Sequence, residues 1–315
     1  MSPANGSLRW LALLTVYVVW GSTYLAIRVA VRTIPPFLSA GSRFLAASLL
    51  VGAFMAISRG MSALRINRRE LLGCTFVGGM LLVGGNGLVV LAEQHIASGL
   101  AALVVAAVPL WIVLFRTFTG DRPKTATVLA VVVGFGGIAL LLAPGGGSTR
   151  IIGILTVLVA SLSWSIGSFR AGTLTLPKDP FVTTVYEMLA GGVLMFVVAA
   201  ARGEFADLDL GGISGQSAAS WIYLVLAGSV LAFTAYVWLL QNAPISLVAT
   251  YAYVNPAVAV VLGALLLDEH ITWPVVAGGA VVIASVAIVV SVEDRPKAAP
   301  VQTAGAAPDA PVTTV

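Results

Sequence analysis

The sequence predicts an all-α polytopic membrane protein, with ten transmembrane helices arranged as two inverted five-helix repeats. Three observations carry this expectation. First, 59% of the 315 residues are hydrophobic and 10% are charged, with a mean hydropathy of +1.01, whereas a soluble domain carries about 25% charged residues. Second, apolar runs of roughly 20 residues, the length needed to cross a ~30 Å hydrocarbon core, recur along the chain. Third, the second half repeats the first with the opposite sidedness of charge.

The runs fall at about 8–30, 36–58, 70–92, 96–118, 125–143, 151–172, 180–201, 217–241, 246–267 and 271–292. They are too long for barrel strands and do not alternate with a period of two. The first run is longer than a signal-peptide core and has no clear small-residue cleavage site, so it reads as a span. Connections are short and leave no room for a sizeable soluble domain. The single cysteine, Cys74, excludes an intramolecular disulfide framework and a cysteine metal site. The segment 293–315, rich in Ala, Pro and Thr, reads as a disordered cytoplasmic tail.

The pI of about 9.5 reflects membrane sidedness rather than nucleic-acid binding, because the basic residues sit in the loops that flank the spans. With the N-terminus inside, the inner segments hold Arg9, Arg59, Arg65, Arg68, Arg69, Arg116, Arg122, Lys124, Arg170, Lys178, Arg295 and Lys297. The outer segments hold Arg28, Arg32, Arg150 and Arg202. Twelve against four places both termini in the cytoplasm. The net-negative loop 202–212 then falls outside, as does Asp268-Glu269-His270.

Self-comparison places 35–47 over 179–191, matching Pro36, Phe37 and Ala46 with Pro180, Phe181 and Ala190. It also places 93–110 over 240–257, matching Gln94, Leu100, Ala102 and Pro109 with Gln241, Leu247, Ala249 and Pro256. The halves are thus 1–145 and 148–292. Five spans is an odd number, so the second half enters the membrane upside down. Such inverted repeats are a transporter architecture, with the site near the midplane between the repeats. A duplicated membrane protein that transports nothing is the alternative.

The stretches VVWGSTYLAIRVAV (18–31), PPFLSAGSRFLAA (35–47), GGNGLVVLAEQ (84–94) and TYAYVNPAVAVVLGALLLDEHIT (250–272) resemble the EamA family of the drug/metabolite transporter superfamily. The likeness runs from about residue 8 to 292. It implies a ten-helix inner-membrane carrier that exports amino acids, other metabolites or drugs, with protons as the coupling ion. The family's Gly-Glu pair at the ends of the fourth and ninth spans appears here as Gly120-Asp121, with a shorter acid, and as Asp268-Glu269.

Several side chains stand out within the spans. Tyr17, Trp20, Tyr24 and Arg28 share one face of the first helix, and Trp20 lies near mid-membrane although Trp normally prefers the interface. The face is either a packing seam with Arg28 snorkelling to headgroups or the wall of a solute cavity. Trp164 is its counterpart in the sixth span, on a face that continues through Ser168. Arg43 and Glu187 occupy equivalent positions in the two repeats, roughly 10 Å apart along the membrane normal by helix rise. Intramembrane charges are costly and usually functional, so Arg43 is a candidate for a substrate carboxylate and Glu187 for proton coupling. The alternative for both is a structural hydrogen bond. Pro109 and Pro256 lie mid-span and each free one carbonyl, as a packing kink or as a hinge. Tyr251 and Asn255 share a face beside the second kink. Asn86, in a Gly-rich stretch suited to close helix packing, either bonds across helices or lines the cavity.

The Gly-rich stretch is not a phosphate loop and no ATP-binding motif occurs. His95 and His270 have no acid or cysteine cluster in sequence, which argues against a metal or an enzyme. The expectation is therefore a carrier without cofactors, whose partners are a small-molecule solute, the lipid bilayer and protons, and not nucleic acid. Uptake or uniport is the alternative direction, and a structural or signalling membrane protein the alternative class.

Overall fold

The computed structural model describes residues 3–120, 123–141 and 147–293. Among them there is no strand, and the architecture is a bundle of helices. Seven are long and apolar enough to cross a membrane: α1 (Ser7–Ala30), α2 (Pro36–Arg59), α3 (Arg68–Ala92), α4 (Ser98–Phe118), α6 (Arg150–Ala171), α7 (Pro180–Ala201) and α8 (Gly215–Asn242). Three more, α5 (Thr125–Leu141), α9 (Tyr251–Leu267) and α10 (Trp273–Glu293), have described apolar stretches of 10–17 residues. The fifth span was expected to reach 143, but residues 142–146 lie outside the described residues. So do Asp121, Arg122 and the expected tail from residue 294 on. The ninth helix starts at Tyr251 rather than near 246, because one short turn (Ile245–Val248) ends at Ala249 before the helix resumes.

Helix starts follow from local chemistry. Pro36 and Pro180 each open a helix, where the missing N–H is no loss. α3 opens with a capping box: Asn67 Oδ1 accepts from the N–H groups of Arg69 (2.9 Å) and Glu70 (3.0 Å). In return Glu70 Oε2 accepts the Asn67 N–H at 2.8 Å.

Lipid supplies no hydrophobic drive between helices, so association rests on small residues and interhelical hydrogen bonds. The antiparallel pair α2 and α7 uses both. A Cβ on Gly192 would lie 3.1 Å from the Gly41 carbonyl oxygen, and one on Gly41 would lie 3.2 Å from that of Gly192. Further along, Ser48 Oγ donates to the Val185 carbonyl at 2.8 Å. At one end of the pair Arg59 Nη1 meets Asp179 Oδ2 at 2.5 Å, and its guanidinium lies 5.7 Å from the Phe181 ring. Asp179 Oδ1 caps α7 through the Phe181 N–H at 2.9 Å. At the other end Arg202 lies 5.6 Å from the Phe37 ring and 3.3 Å from Glu204 Oε1. Glu204 Oε2 caps α2 by accepting from the N–H groups of Phe37 (2.8 Å) and Leu38 (3.0 Å). The bundle thus has an Asp179 end and a Glu204 end.

Glu204 is 4% exposed, so water cannot replace it as a cap. Glu204→Ala is expected to destabilise the protein by about 1–2 kcal/mol, read as a lowered unfolding midpoint in detergent. Glu204→Gln should recover part of that loss.

The backbone departs from regular α-helix around one central region. α1 widens to a π-helical turn over Val16–Trp20, α3 over Gly79–Gly87 and α8 over Leu224–Phe233. α4 breaks between Val105 and Val108, just ahead of Pro109. Irregular backbone at membrane depth is tolerated where it is buried in protein or lines a cavity, and π-bulges gather at functional sites.

Candidate functional site: a central aromatic cavity

The irregular turns converge on a cavity of about 60 Å³. Its wall takes Trp20, Thr23, Tyr24 and Ile27 from α1, Arg43 and Phe44 from α2, and Leu82, Gly85, Asn86 and Val89 from α3. Val105 of α4, Ala160, Ser161 and Trp164 of α6, Gly228 and Phe233 of α8, and Tyr251 of α9 complete it. Ligand pockets usually enclose about 300–1,000 Å³, so this cavity holds only a few water molecules and must widen to admit a solute.

Trp20 is the hub. Its ring centroid lies 5.4 Å from Trp164 and 5.4 Å from Tyr251, both edge-to-face, and 4.8 Å from Tyr236. Its indole N–H donates to the Gly228 carbonyl at 3.1 Å, within the widened stretch of α8. The Trp164 N–H donates to the Tyr236 hydroxyl at 3.1 Å, and that hydroxyl also pairs with Ser168 Oγ at 2.8 Å. Each edge-to-face contact adds about 0.5–1.5 kcal/mol beyond burial. The indole and phenol groups are therefore held in place by partners on other helices.

Arg43 is 4% exposed. Its Nε donates to Ser229 Oγ at 2.8 Å, and its guanidinium carbon lies 4.3 Å from the centre of the Phe44 ring. Asn86 Oδ1 is buried and accepts no hydrogen bond from a protein group. The cavity thus combines a cation, an unspent acceptor and aromatic walls. That chemistry suits a solute with a carboxylate, an N–H or O–H donor, and an apolar body.

Six of the eight residues singled out for solute contact line this cavity: Trp20, Tyr24, Arg43, Asn86, Trp164 and Tyr251. Tyr17 and Asn255 stand behind it. The Tyr17 hydroxyl pairs with Thr250 Oγ1, and the Asn255 amide donates to the carbonyls of Tyr17 (3.0 Å) and Tyr251 (3.2 Å). They brace α1 against the start of α9. Glu187 is 2% exposed with Oε2 unpartnered, but α7 contributes nothing to the wall. Its carboxyl is within electrostatic reach of Cys74 on α3 and Tyr236 on α8. Arg43 and Glu187 are accordingly served by different surroundings, not by each other.

Arg28 does not line the wall. It donates through Nη1 to the Ile96 carbonyl, and its Nε lies 3.3 Å from Glu269 Oε1. Glu269 in turn accepts from Ser98 N–H (2.9 Å), Ser98 Oγ (2.9 and 3.0 Å) and Gly99 N–H (3.2 Å), capping α4. His95, His270, Arg150 and Glu269 line a separate cavity of about 340 Å³ at this Glu204 end. Among the described residues no group of three or more His, Cys, Asp or Glu could hold a metal.

Two residues that matter here escaped the sequence reading. Tyr236 joins Trp20, Trp164 and Tyr251 in the aromatic cluster; a tyrosine deep in an apolar run was the signal available for it. Glu93 is 2% exposed and neither of its carboxylate oxygens accepts a hydrogen bond from a protein group. Nothing local marks it, since an acid just past a span normally sits in water.

A bundle of apolar helices around a buried, part-polar cavity defines a polytopic membrane transporter, and comparison with known proteins agrees. The chain belongs to the EamA-like transporter family, whose model matches residues 8–143 and 151–291. It is 40% identical over 253 residues to the uncharacterized inner membrane transporter YedA of Escherichia coli strain K12, spanning 80% of each chain. It is also 24% identical over 285 residues to an uncharacterized transporter of Archaeoglobus fulgidus (90% of this chain, 98% of that one). Over 298 residues it is 23% identical to the uncharacterized transporter YvbV of Bacillus subtilis (92% and 93%). A solved crystal structure at 20% identity superposes with a TM-score of 0.64 over 91% of this chain and 97% of its own, which shows the shared fold.

Proposed function

We propose that this protein is a secondary carrier of the bacterial inner membrane. It exports a small metabolite, amino acid or drug by alternating access, with protons entering in exchange. The observation that carries the reading is the central cavity, a buried site with one cation, one unspent acceptor and aromatic walls, built from irregular turns of helices in both halves. No ATP-binding motif accompanies it, so an ion gradient is the available drive.

In this reading ten spans form two inverted five-helix repeats, 1–145 and 148–292, with both termini cytoplasmic. Support comes from contacts that recur at a spacing of 144 residues. Gly41 against Gly192 corresponds to Val185 against Ser48. Arg202 over the Phe37 ring corresponds, within one residue, to Arg59 over the Phe181 ring. The charge balance then puts the Glu204 end outside and the Asp179 end inside.

Arg43 holds the solute's carboxylate, Asn86 accepts from its donor group, and the Trp20 cluster packs its apolar body. Glu187, buried with Oε2 unpartnered towards the inner side, carries the exchanging proton. The test begins with a ligand screen by thermal shift in detergent, because a binder stabilises the folded form. Flux of the hit in proteoliposomes is then measured with and without a pH gradient. The expected result is counterflow accelerated by inward proton movement. Glu187→Gln should retain normal protein levels and solute–solute exchange but lose the gradient-driven component. Flux indifferent to the pH gradient would point to a uniporter; coupling unimpaired in Glu187→Gln would remove that residue's role.

A further inference from the structure

We propose that Glu93 is the proton-loading site of the outer face, and that its protonation decides whether Arg28 stays latched to Glu269. The proposal rests on the proton-coupled reading above and adds to it the point of proton entry. Its main observations, the unbonded Glu93 carboxylate and the Arg28–Glu269 pair, lie outside the wall of the central cavity.

Glu93 follows directly on the span Arg68–Ala92. It lines, with Arg28, Val31, Arg32 and Gln94, an outer cavity of about 290 Å³. Its two oxygens are buried and unbonded. The charged and titratable groups that face it come from three directions: Tyr24 and Arg28 from α1 with Arg32 in the turn just after it, Arg43 from α2, and Glu269 from the segment before α10. A carboxylate buried without hydrogen bonds is strongly unfavourable, so the site holds a neutral acid unless a cation moves onto it.

Arg28 is the cation with a choice. Two acids, Glu93 and Glu269, compete for one guanidinium. With Glu93 neutral, Arg28 belongs to Glu269 and to the Ile96 carbonyl, as observed. That arrangement ties α1 to the start of α4 and to the segment before α10 at the Glu204 end. When Glu93 ionises, Arg28 is drawn to it, Glu269 loses its partner, and the tie loosens. The proton balance is simple: a proton from outer water binds one Oε lone pair on loading and returns to water on release, with no other bond changed. Burial holds the Glu93 carboxyl well above the ordinary carboxylate range, with Arg28 drawing it down, Glu269 raising it and Arg43 drawing it down. The closed latch is therefore favoured at acidic pH and loosens as pH rises through that raised value. Acid outside thus closes the outer face on a proton-loaded carrier, the direction antiport requires.

The test needs no solute. In a Cys74→Ala background, spin labels are placed at Gln216 and Ile271, both exposed at the Glu204 end. Their separation is measured by pulsed electron spin resonance on the full chain in lipid nanodiscs. The parent should show a longer-distance population that grows about tenfold between about pH 5 and about pH 9, the size of a typical coupling. Glu93→Gln should show the short distance alone at both pH values, and Glu93→Asp, which keeps a titrating group, should retain the shift. A Glu93→Gln protein that shifts like the parent overturns the proposal and transfers the response to His95 or His270. Absence of any shift in the parent overturns it outright. A chain with the Glu93-dependent shift but no proton-driven flux would sink the proton-coupled reading while leaving the latch assignment standing.

Discussion

Arg43→Met is expected to remove solute recognition while leaving a folded protein. Methionine keeps most of the side-chain volume and places no charge in the interior. What disappears is the cation that lines the cavity, together with its bond to Ser229. A hydrogen bond to a charged group is worth about 1.5–3 kcal/mol, so affinity for a carboxylate-bearing solute should fall about 10- to 100-fold. The readout is the ligand-induced thermal shift in detergent, followed by counterflow in proteoliposomes. The unfolding midpoint without ligand should hold or rise, since an intramembrane charge is costly to bury. Arg43→Lys separates charge from geometry. Lysine keeps the cation but cannot reproduce the planar fork anchored at Nε, so it should bind at an intermediate level. Unchanged affinity in Arg43→Met would remove Arg43 from the solute site and leave it a structural bond to Ser229.

The contrast between Arg43 and Arg28 shows what the sequence can disclose. The seven long helices begin and end within two residues of the apolar runs, because lipid forces every backbone polar group into local hydrogen bonds and so ties span to composition. Trp20 and Trp164 were legible for a related reason: indoles at mid-depth have no interface to reach and need a partner inside. Depth and helical face are properties of one helix. The partners of Arg28 could not be read from the sequence, because Ile96 and Glu269 are 68 and 241 positions away. Glu93 was passed over for the same reason, since its burial is made by side chains of other segments. The widened turns at Val16–Trp20, Gly79–Gly87 and Leu224–Phe233 also left no mark. A Gly-rich or aromatic run is compatible with α and π turns alike, and tertiary packing selects between them.

Gly78→Val is expected to abolish the folded protein, whereas Gly79→Ala one position away should be close to neutral. A Cβ at residue 78 would lie 2.4 Å from the Glu187 carbonyl oxygen and 3.1 Å from the same residue's Cα and carbonyl carbon. All three obstacles are backbone, so no side-chain rotation relieves them and α3 must move away from α7. Overpacking of this kind costs about 1–3 kcal/mol in soluble cores, occasionally more. Here the displaced contact is the close approach on which helix association in lipid depends, and valine adds two methyls to an already forbidden Cβ. The same shift would carry Glu187 off its position between α3 and α8, so any protein that does fold should also lose the gradient-driven component of flux. At Gly79 the nearest atom to a new Cβ is Leu194 Cδ1 at 3.6 Å, an ordinary contact with a flexible side chain. The measurement is the monodisperse fraction on size exclusion in detergent, together with the unfolding midpoint, for both variants side by side. Equal behaviour of the two would mean that α3 and α7 are not held at backbone contact, and with that the placement of Glu187 would fall.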